Sequence, residues 1–121
     1  MDTLDGEMRG PQLALRRTDL PGGEVLITVR GEIDLVTGER FKQLIIEAIR
    51  QPETRRLVLE VSGLTFLDSN GVTALVNAHR YAQEQHVTLG IRGENELIRD
   101  LLQMLGVHDM LALDGRQDAR S

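Results

Sequence analysis

The chain has 121 residues, 40% of them hydrophobic, with a formal net charge of −5 and no cysteine. It is therefore long enough for one domain with a single core. Without cysteine it has no disulfide or thiolate chemistry. The acidic balance and the presence of only two phenylalanines and one tyrosine argue against binding to nucleic acid or to an anionic membrane. The first residues show no basic-then-apolar signal pattern and no apolar run approaches about 18 residues, so we expect a cytoplasmic protein.

The first quarter of the chain predicts a polar start followed by a β-hairpin. Residues 1–10 are polar and acidic, and we expect them to be disordered. Alternating apolar residues at 12–18 predict a short edge strand. The sequence Leu20-Pro21-Gly22-Gly23 is typical of a turn, because proline fixes φ and glycine allows positive φ. Residues 24–30 alternate again and predict the second strand of the hairpin.

A helix and a central strand are predicted next. Gly31-Glu32-Ile33-Asp34 leads into the helix, with Thr37 as its candidate N-cap and Pro52 beyond its end. The apolar residues of this helix recur at the 3.6-residue spacing: Phe41, Leu44, Ile45, Ala48 and Ile49. Residues 57–61 are nearly continuously apolar, which is typical of a central strand. We expect Ser62-Gly63 to interrupt that strand. Three apolar residues beyond it are predicted to be buried: Leu64, Phe66 and Leu67.

The second half of the chain predicts two further helices and two short strands. A helix begins near Gly71, and its apolar stripe holds Val72, Leu75, Val76, His79 and Ala82. Residues 87–91 predict a strand. A third helix follows, with Asn95 as its candidate N-cap and Gly106 as its stop. Its predicted inward residues are Leu97, Ile98, Leu101, Leu102 and Leu105. Residues 110–113 predict a brief final strand.

These elements follow the order β-β-α-β-α-β-α without a repeat or a long linker. We therefore expect one α/β domain over residues 11–113, in which helices pack across a sheet, and a flexible tail at 114–121.

A hydroxyl group stands where an extended segment gives way to a helix, in Leu67-Asp68-Ser69-Asn70-Gly71. The free N–H groups and the positive end of the macrodipole at a helix N-terminus can hold an anion. Ser69 is therefore a candidate for phosphorylation, which adds about −1.5 to −2 charges at neutral pH. The alternative is that Asp68 or Ser69 simply caps the helix. A cap does not exclude a switch.

Three motifs, in this order and spacing, resemble one protein family. They are Gly31-Glu32-Ile33-Asp34 before a helix, the strand region 57–67 followed by Asp68-Ser69-Asn70-Gly71, and the closing helix through Met104-Leu105-Gly106-Val107. Together they resemble the STAS domain of bacterial anti-sigma factor antagonists over roughly residues 13–113. The resemblance implies a mixed β-sheet of about four to five strands with helices packed mainly on one face.

The resemblance also implies a partner-switching function without a cofactor. Such antagonists bind an anti-sigma factor that is also a serine kinase of the histidine-kinase-like ATPase type, and so release a sigma factor. The kinase phosphorylates the motif serine, here Ser69, and the complex dissociates. A PP2C-type phosphatase then restores the binding form. Asn70 stands where many relatives carry a second small hydroxyl residue.

Five residues around Ser69 are candidate partner contacts, each with an alternative role. The resemblance places Asp34 near the switch loop, where it is either a contact or a turn carboxylate. Thr37 is a contact or a helix cap. Asp68 lies beside the phosphate, and Asn70 follows it in the loop. Gly71 either lets another protein approach closely or eases the start of the helix.

Two other function classes fit the sequence less well. Stand-alone STAS domains also serve as accessory subunits of membrane lipid-transport ATPases, although those generally lack the motif serine. Catalysis with Ser69 as nucleophile is disfavoured, because the chain has no Gly-x-Ser-x-Gly elbow and no supporting histidine motif. The three histidines show no metal-site spacing, so neither a metal nor an enzyme activity is expected. The cognate kinase, the sigma factor, the signal and self-association are left open.

Overall fold

The computed structural model describes residues 13–113. Its elements are β1 (Leu13–Leu20), a 3-10 turn (Pro21–Gly23), β2 (Glu24–Ile33), α1 (Gly38–Arg50), β3 (Arg56–Leu67), α2 (Ser69–Glu84), β4 (Thr88–Arg92), α3 (Glu96–Met104) and α4 (His108–Leu111). The predictions of a disordered segment at 1–10 and a flexible tail at 114–121 fall outside the described residues.

In the described residues the four strands form one mixed sheet in the order β1-β2-β3-β4. β1 and β2 are antiparallel, and the turn between them contains Gly22 and Gly23 at φ values of 80° and 83°, which only glycine adopts freely. β2, β3 and β4 are parallel neighbours, so their carboxyl ends meet at one edge of the sheet, here called the carboxyl edge. The predicted hairpin, the edge position of its first strand and the mixed sheet are confirmed.

Alternation along the strands separates a buried face from an open one. On β2 the inward side chains Val25, Ile27 and Val29 are buried, and the helices bury their apolar residues in the same core cluster. The opposite face is open over β1 and β2, where a groove is lined by Ala14, Leu15, Arg16, Thr28 and Arg30. Over β4, the side chain of Leu113 lies so close to Gly90 that a Cβ there would overlap it. The predicted packing of helices mainly on one face is confirmed.

The predicted interruption at Ser62-Gly63 is wrong. β3 continues through these residues to Leu67, and the pairing with β2 adjusts by a register shift between Thr28 and Arg30. A Cβ on Gly63 would lie 2.9 Å from Cγ of Arg30, so the absent side chain lets the bulged strands stay close. β2 likewise runs on to Ile33 instead of ending at Arg30.

Three predicted core residues are exposed, and the last element differs. Phe66 is 45% exposed because Leu67, its neighbour along β3, points into the core. Leu97 and Leu105 are 65% and 50% exposed, since the nine-residue α3 buries only a narrow stripe. Met110 and Leu111 are the last two residues of the short helix α4, and a single parallel bridge between Ile91 and Ala112 is all that forms of the predicted strand.

Candidate functional site

Two turns lie side by side at the carboxyl edge of the sheet. Ile33 and Leu67 form the last residue pair between β2 and β3. The backbone N–H of Asp68 donates to the carbonyl oxygen of Ile33 at 3.2 Å, so the adjacency extends one residue beyond the strands. The turn that begins at Asp34 therefore lies next to the turn that holds Ser69.

Asp68 is the N-cap of α2. Its Oδ1 accepts a hydrogen bond from the backbone N–H of Gly71 at 2.9 Å, and its carbonyl oxygen accepts one from the N–H of Val72 at 3.0 Å. The side-chain amide of Asn70 donates to Oδ2 of Asp68 at 3.5 Å. The capping role predicted for this position therefore belongs to Asp68 and leaves Ser69 free of it.

Ser69 is the first residue of α2, and its side chain is exposed. Within residues 13–113 its hydroxyl makes no hydrogen bond, so no histidine or carboxylate of this part of the chain is in place to take its proton. The hydroxyl stands at the helix end where backbone N–H groups favour a negative charge. The hydroxyl is therefore exposed, without a base from residues 13–113, at a helix end that favours a negative charge.

Gly71 is buried, and its missing side chain is needed inside the domain. A Cβ at this position would overlap the side chain of Leu67 and lie 2.9 Å from Cγ2 of Ile33. The first turn of α2 therefore packs directly on the ends of β2 and β3. This packing is a role that the sequence analysis did not assign to Gly71, and the two predicted roles, close approach of another protein and easy helix initiation, stay predictions.

The Asp34 carboxylate organises its own turn. Its Oδ1 accepts hydrogen bonds from the backbone N–H groups of Val36 and Thr37, both at 2.9 Å. The N–H of Thr37 is the main cause that lowers the pKa of Asp34 below its ordinary value of 3.8. Partial burial opposes this shift, and the Thr37 hydroxyl and the N–H of Val36 support it.

Thr37 occupies the N-cap position of α1, as predicted, but its side chain makes no capping hydrogen bond to the helix. The hydroxyl donates to the carbonyl oxygen of Glu32 at 2.8 Å, with Oδ1 of Asp34 as a second acceptor at 3.1 Å, and it accepts from the N–H of Asp34 at 3.0 Å. Thr37 is buried and has helical backbone angles. Because its hydroxyl reaches backward, Thr37 closes the turn and offers little surface to a partner.

Leu35 and Val36, at the tip of this turn, are 74% and 80% exposed, and they are candidate site residues that the motifs did not include. The available signal was two large apolar residues between Asp34 and Thr37, outside both the strand alternation and the helical spacing. Large apolar side chains at such exposure are candidates for contact with another molecule.

A third connection reaches the same region from β4. The side chain of Asn95 caps α3, accepting from the N–H of Ile98 at 2.9 Å, and donates to the carbonyl oxygen of Leu64 at 2.8 Å. The predicted N-cap is confirmed, and the same amide ties α3 to β3. Nearby, Nε2 of His108 lies 2.6 Å from Oε2 of Glu94.

The electrostatics of the two turns are acidic. Within the described part of the chain, neither Asp34 nor Asp68 is ion-paired with a lysine or arginine. No cluster of three or more histidine, aspartate or glutamate residues that could hold a metal ion occurs in residues 13–113. The described helices include none that is long and apolar enough to cross a membrane.

Comparison with known proteins adds sequence relatives. A family model described as "Mlab, STAS domain" matches residues 17–113. The anti-sigma F factor antagonist of Paenibacillus polymyxa is 22% identical over 91 residues, which cover 75% of this chain and 78% of that protein.

Solved structures share the fold. The unphosphorylated anti-sigma factor antagonist SpoIIAA superposes with a TM-score of 0.71 at 21% identity, covering 88% of this chain and 95% of that one. An anti-sigma factor antagonist from Mycobacterium paratuberculosis gives 0.75 at 22% identity, covering 89% and 93%. The phosphorylated form of the Bacillus cell fate determinant SpoIIAA gives 0.66 at 21% identity, covering 88% and 98%.

Proposed function

The chain belongs to the STAS domain family, and from this premise we propose that it is an anti-sigma factor antagonist switched off by phosphorylation of Ser69. The relatives above that are named as antagonists support the general role. The observation that carries the switch is the exposed Ser69 hydroxyl on the first residue of α2, beside a separate capping residue. The partner in this proposal is an anti-sigma factor that is also a serine kinase, and a PP2C-type phosphatase reverses the modification.

The division of roles between Asp68 and Ser69 explains why phosphorylation need not unfold the domain. Asp68 satisfies the N–H of Gly71, and modification of Ser69 leaves this bond in place. The N-terminus of α2 favours the added charge, while the adjacent carboxylate of Asp68 opposes it. The effect on the fold is therefore small, because these two influences offset each other.

The larger effect falls on the interface with the partner. A phosphate beside the carboxylates of Asp34 and Asp68 would be buried on docking without a cation from the described part of this chain. Such an uncompensated charge costs several kcal/mol at an interface. A cost of about 4 kcal/mol weakens binding roughly a thousandfold, which is enough to separate a bound state from a free one.

Incubation with ATP and the serine-kinase anti-sigma factors of the same organism tests the proposal. Mass spectrometry should locate a single phosphate on Ser69, and calorimetry should give about a thousandfold weaker binding of the modified chain. Ser69→Ala should bind like the wild type and remain unmodified. Ser62, also exposed, provides the control, since Ser62→Ala should still be phosphorylated at Ser69.

Two results would contradict the switch. One is loss of binding in Ser69→Ala, and the other is full binding by Ser69→Glu. Co-purification with a transporter ATPase in place of a soluble kinase would favour the alternative, an accessory subunit of a lipid-transport system. That alternative ranks second because the relatives named above are antagonists.

A further inference from the structure

Leu35 and Val36 are an exposed apolar pair on a turn that is held in one conformation. Oδ1 of Asp34 binds the N–H groups of Val36 and Thr37, and the N–H of Gly38 donates to the carbonyl oxygen of Asp34 at 2.8 Å. The Thr37 hydroxyl adds bonds to the same turn. The backbone of such a turn loses little conformational freedom on binding, which favours a strong contact.

The position of this pair relative to Ser69 is fixed by the sheet. Ile33 and Leu67 are paired neighbours, and one further backbone bond joins Asp68 to Ile33. The apolar turn and the phosphorylation turn therefore share the carboxyl edge. A kinase that accommodates the Ser69 hydroxyl in its active site meets the apolar turn as well.

We propose that Leu35 and Val36 are the apolar anchor by which the kinase-type anti-sigma factor docks on this chain. The inference rests on the proposed function and names the contact that supplies affinity, as distinct from the hydroxyl that supplies the switch. The partner surface that fits is an apolar pocket bordered by basic groups, because the carboxylates of Asp34 and Asp68 flank the anchor and carry no cationic partner in residues 13–113.

The anchor differs from the other exposed apolar residues of the described chain. Met104 and Leu105 are 77% and 50% exposed, but they lie at the carboxyl end of α3, outside the two turns. They provide matched controls of similar size and exposure. If nonspecific hydrophobic contact held the partner, replacing these two residues would weaken binding as much as replacing the anchor.

The experiment measures binding and phosphorylation of the full chain by a kinase that modifies the wild type. The double variant Leu35→Ser, Val36→Ser should bind the kinase about 30-fold more weakly. Phosphorylation of Ser69 should show a KM raised by a similar factor and an unchanged kcat, because the anchor positions the protein and does not touch the reacting atoms. The double variant Met104→Ser, Leu105→Ser should bind within about twofold of the wild type.

Each outcome decides between two ideas. Wild-type affinity in the anchor variant, or an equal loss in the α3 control, overturns the anchor while leaving the switch at Ser69 intact. Failure of every candidate kinase to bind the wild-type chain overturns the proposed function and the anchor together. Thermal denaturation of both double variants should match the wild type, since all four side chains are exposed.

Discussion

The turns that follow β2 and β3 begin alike and end differently. Each begins with an aspartate directly after a paired strand residue, and each leads into a helix packed over the sheet. The carboxylate of Asp68 caps α2 immediately, because its acceptor reaches the N–H of Gly71. The carboxylate of Asp34 accepts hydrogen bonds from the N–H groups of Val36 and Thr37, which precede α1.

The difference determines what each turn presents to solvent. Because α2 starts directly after its aspartate, Ser69 stands on the helix end and Gly71 is pressed against the sheet. Because α1 starts later, its turn has room for Leu35 and Val36 to project outward. The same residue type at the same strand position thus produces one turn that carries a hydroxyl and another that carries an apolar surface.

The largest effects that test the difference between the two turns are expected at Gly71 and Gly38, the glycines in the first turns of α2 and α1. Gly71→Ala should destabilise the protein by about 1–3 kcal/mol, because the new Cβ would lie 2.9 Å from Cγ2 of Ile33 and overlap Leu67. Gly38→Ala should be neutral or stabilise by up to about 1 kcal/mol, since its Cβ would lie 3.9 Å from the same atom of Ile33 and alanine favours helix. Urea denaturation measures both. Equal effects of the two changes would show that the tight packing of α2 on the sheet is wrong.

Substitutions of Asp68, the N-cap of α2, should change the stability of the protein by a smaller amount. Asp68→Ala should cost about 0.5–2 kcal/mol, because the N–H of Gly71 loses its side-chain acceptor. Asp68→Asn should keep most of the stability, since asparagine is an equally good N-cap. Thermal denaturation at neutral pH compares the two variants. A loss in Asp68→Asn as large as in Asp68→Ala would assign the stabilisation to the charge and not to the hydrogen bond.

Much of the fold follows from local patterns, and the errors follow from long-range contacts. The hairpin and the N-caps at the starts of α2 and α3 depend on neighbouring residues, so the sequence predicts them. The predicted burial of Phe66 is wrong because the register shifts between β2 and β3 change which side chains face the core. Such shifts cannot be counted from sequence. The predicted burial of Leu97 and Leu105 is wrong because helical spacing does not show how much of α3 the sheet covers.

The candidate site also has features that local sequence predicts and features that depend on long-range contacts. An aspartate followed by a serine at a strand-to-helix junction predicts the cap and the exposed hydroxyl from local chemistry. The role of Gly71 depends on Ile33, which is distant in sequence, so no local pattern could reveal it. Threonine is a common N-cap residue, but the Thr37 hydroxyl oxygen accepts from the N–H of Asp34 and makes no capping bond to α1.

The smallest effect concerns the acid dependence of the Asp34 turn, because one surface carboxylate is involved. The pKa of Asp34 is lowered in the folded protein, chiefly by the N–H of Thr37, so its contribution to stability is present above its ordinary value of 3.8 and is lost as the pH falls through the lower folded value. An NMR titration of the Asp34 carboxyl carbon should therefore give a midpoint below 3.8. Thr37→Val should raise that midpoint only in part, since it removes the hydroxyl and keeps the backbone N–H. Asp34→Asn should lessen the loss of stability on acidification below about pH 4. A midpoint at or above 3.8 would mean that the carboxylate does not hold the turn.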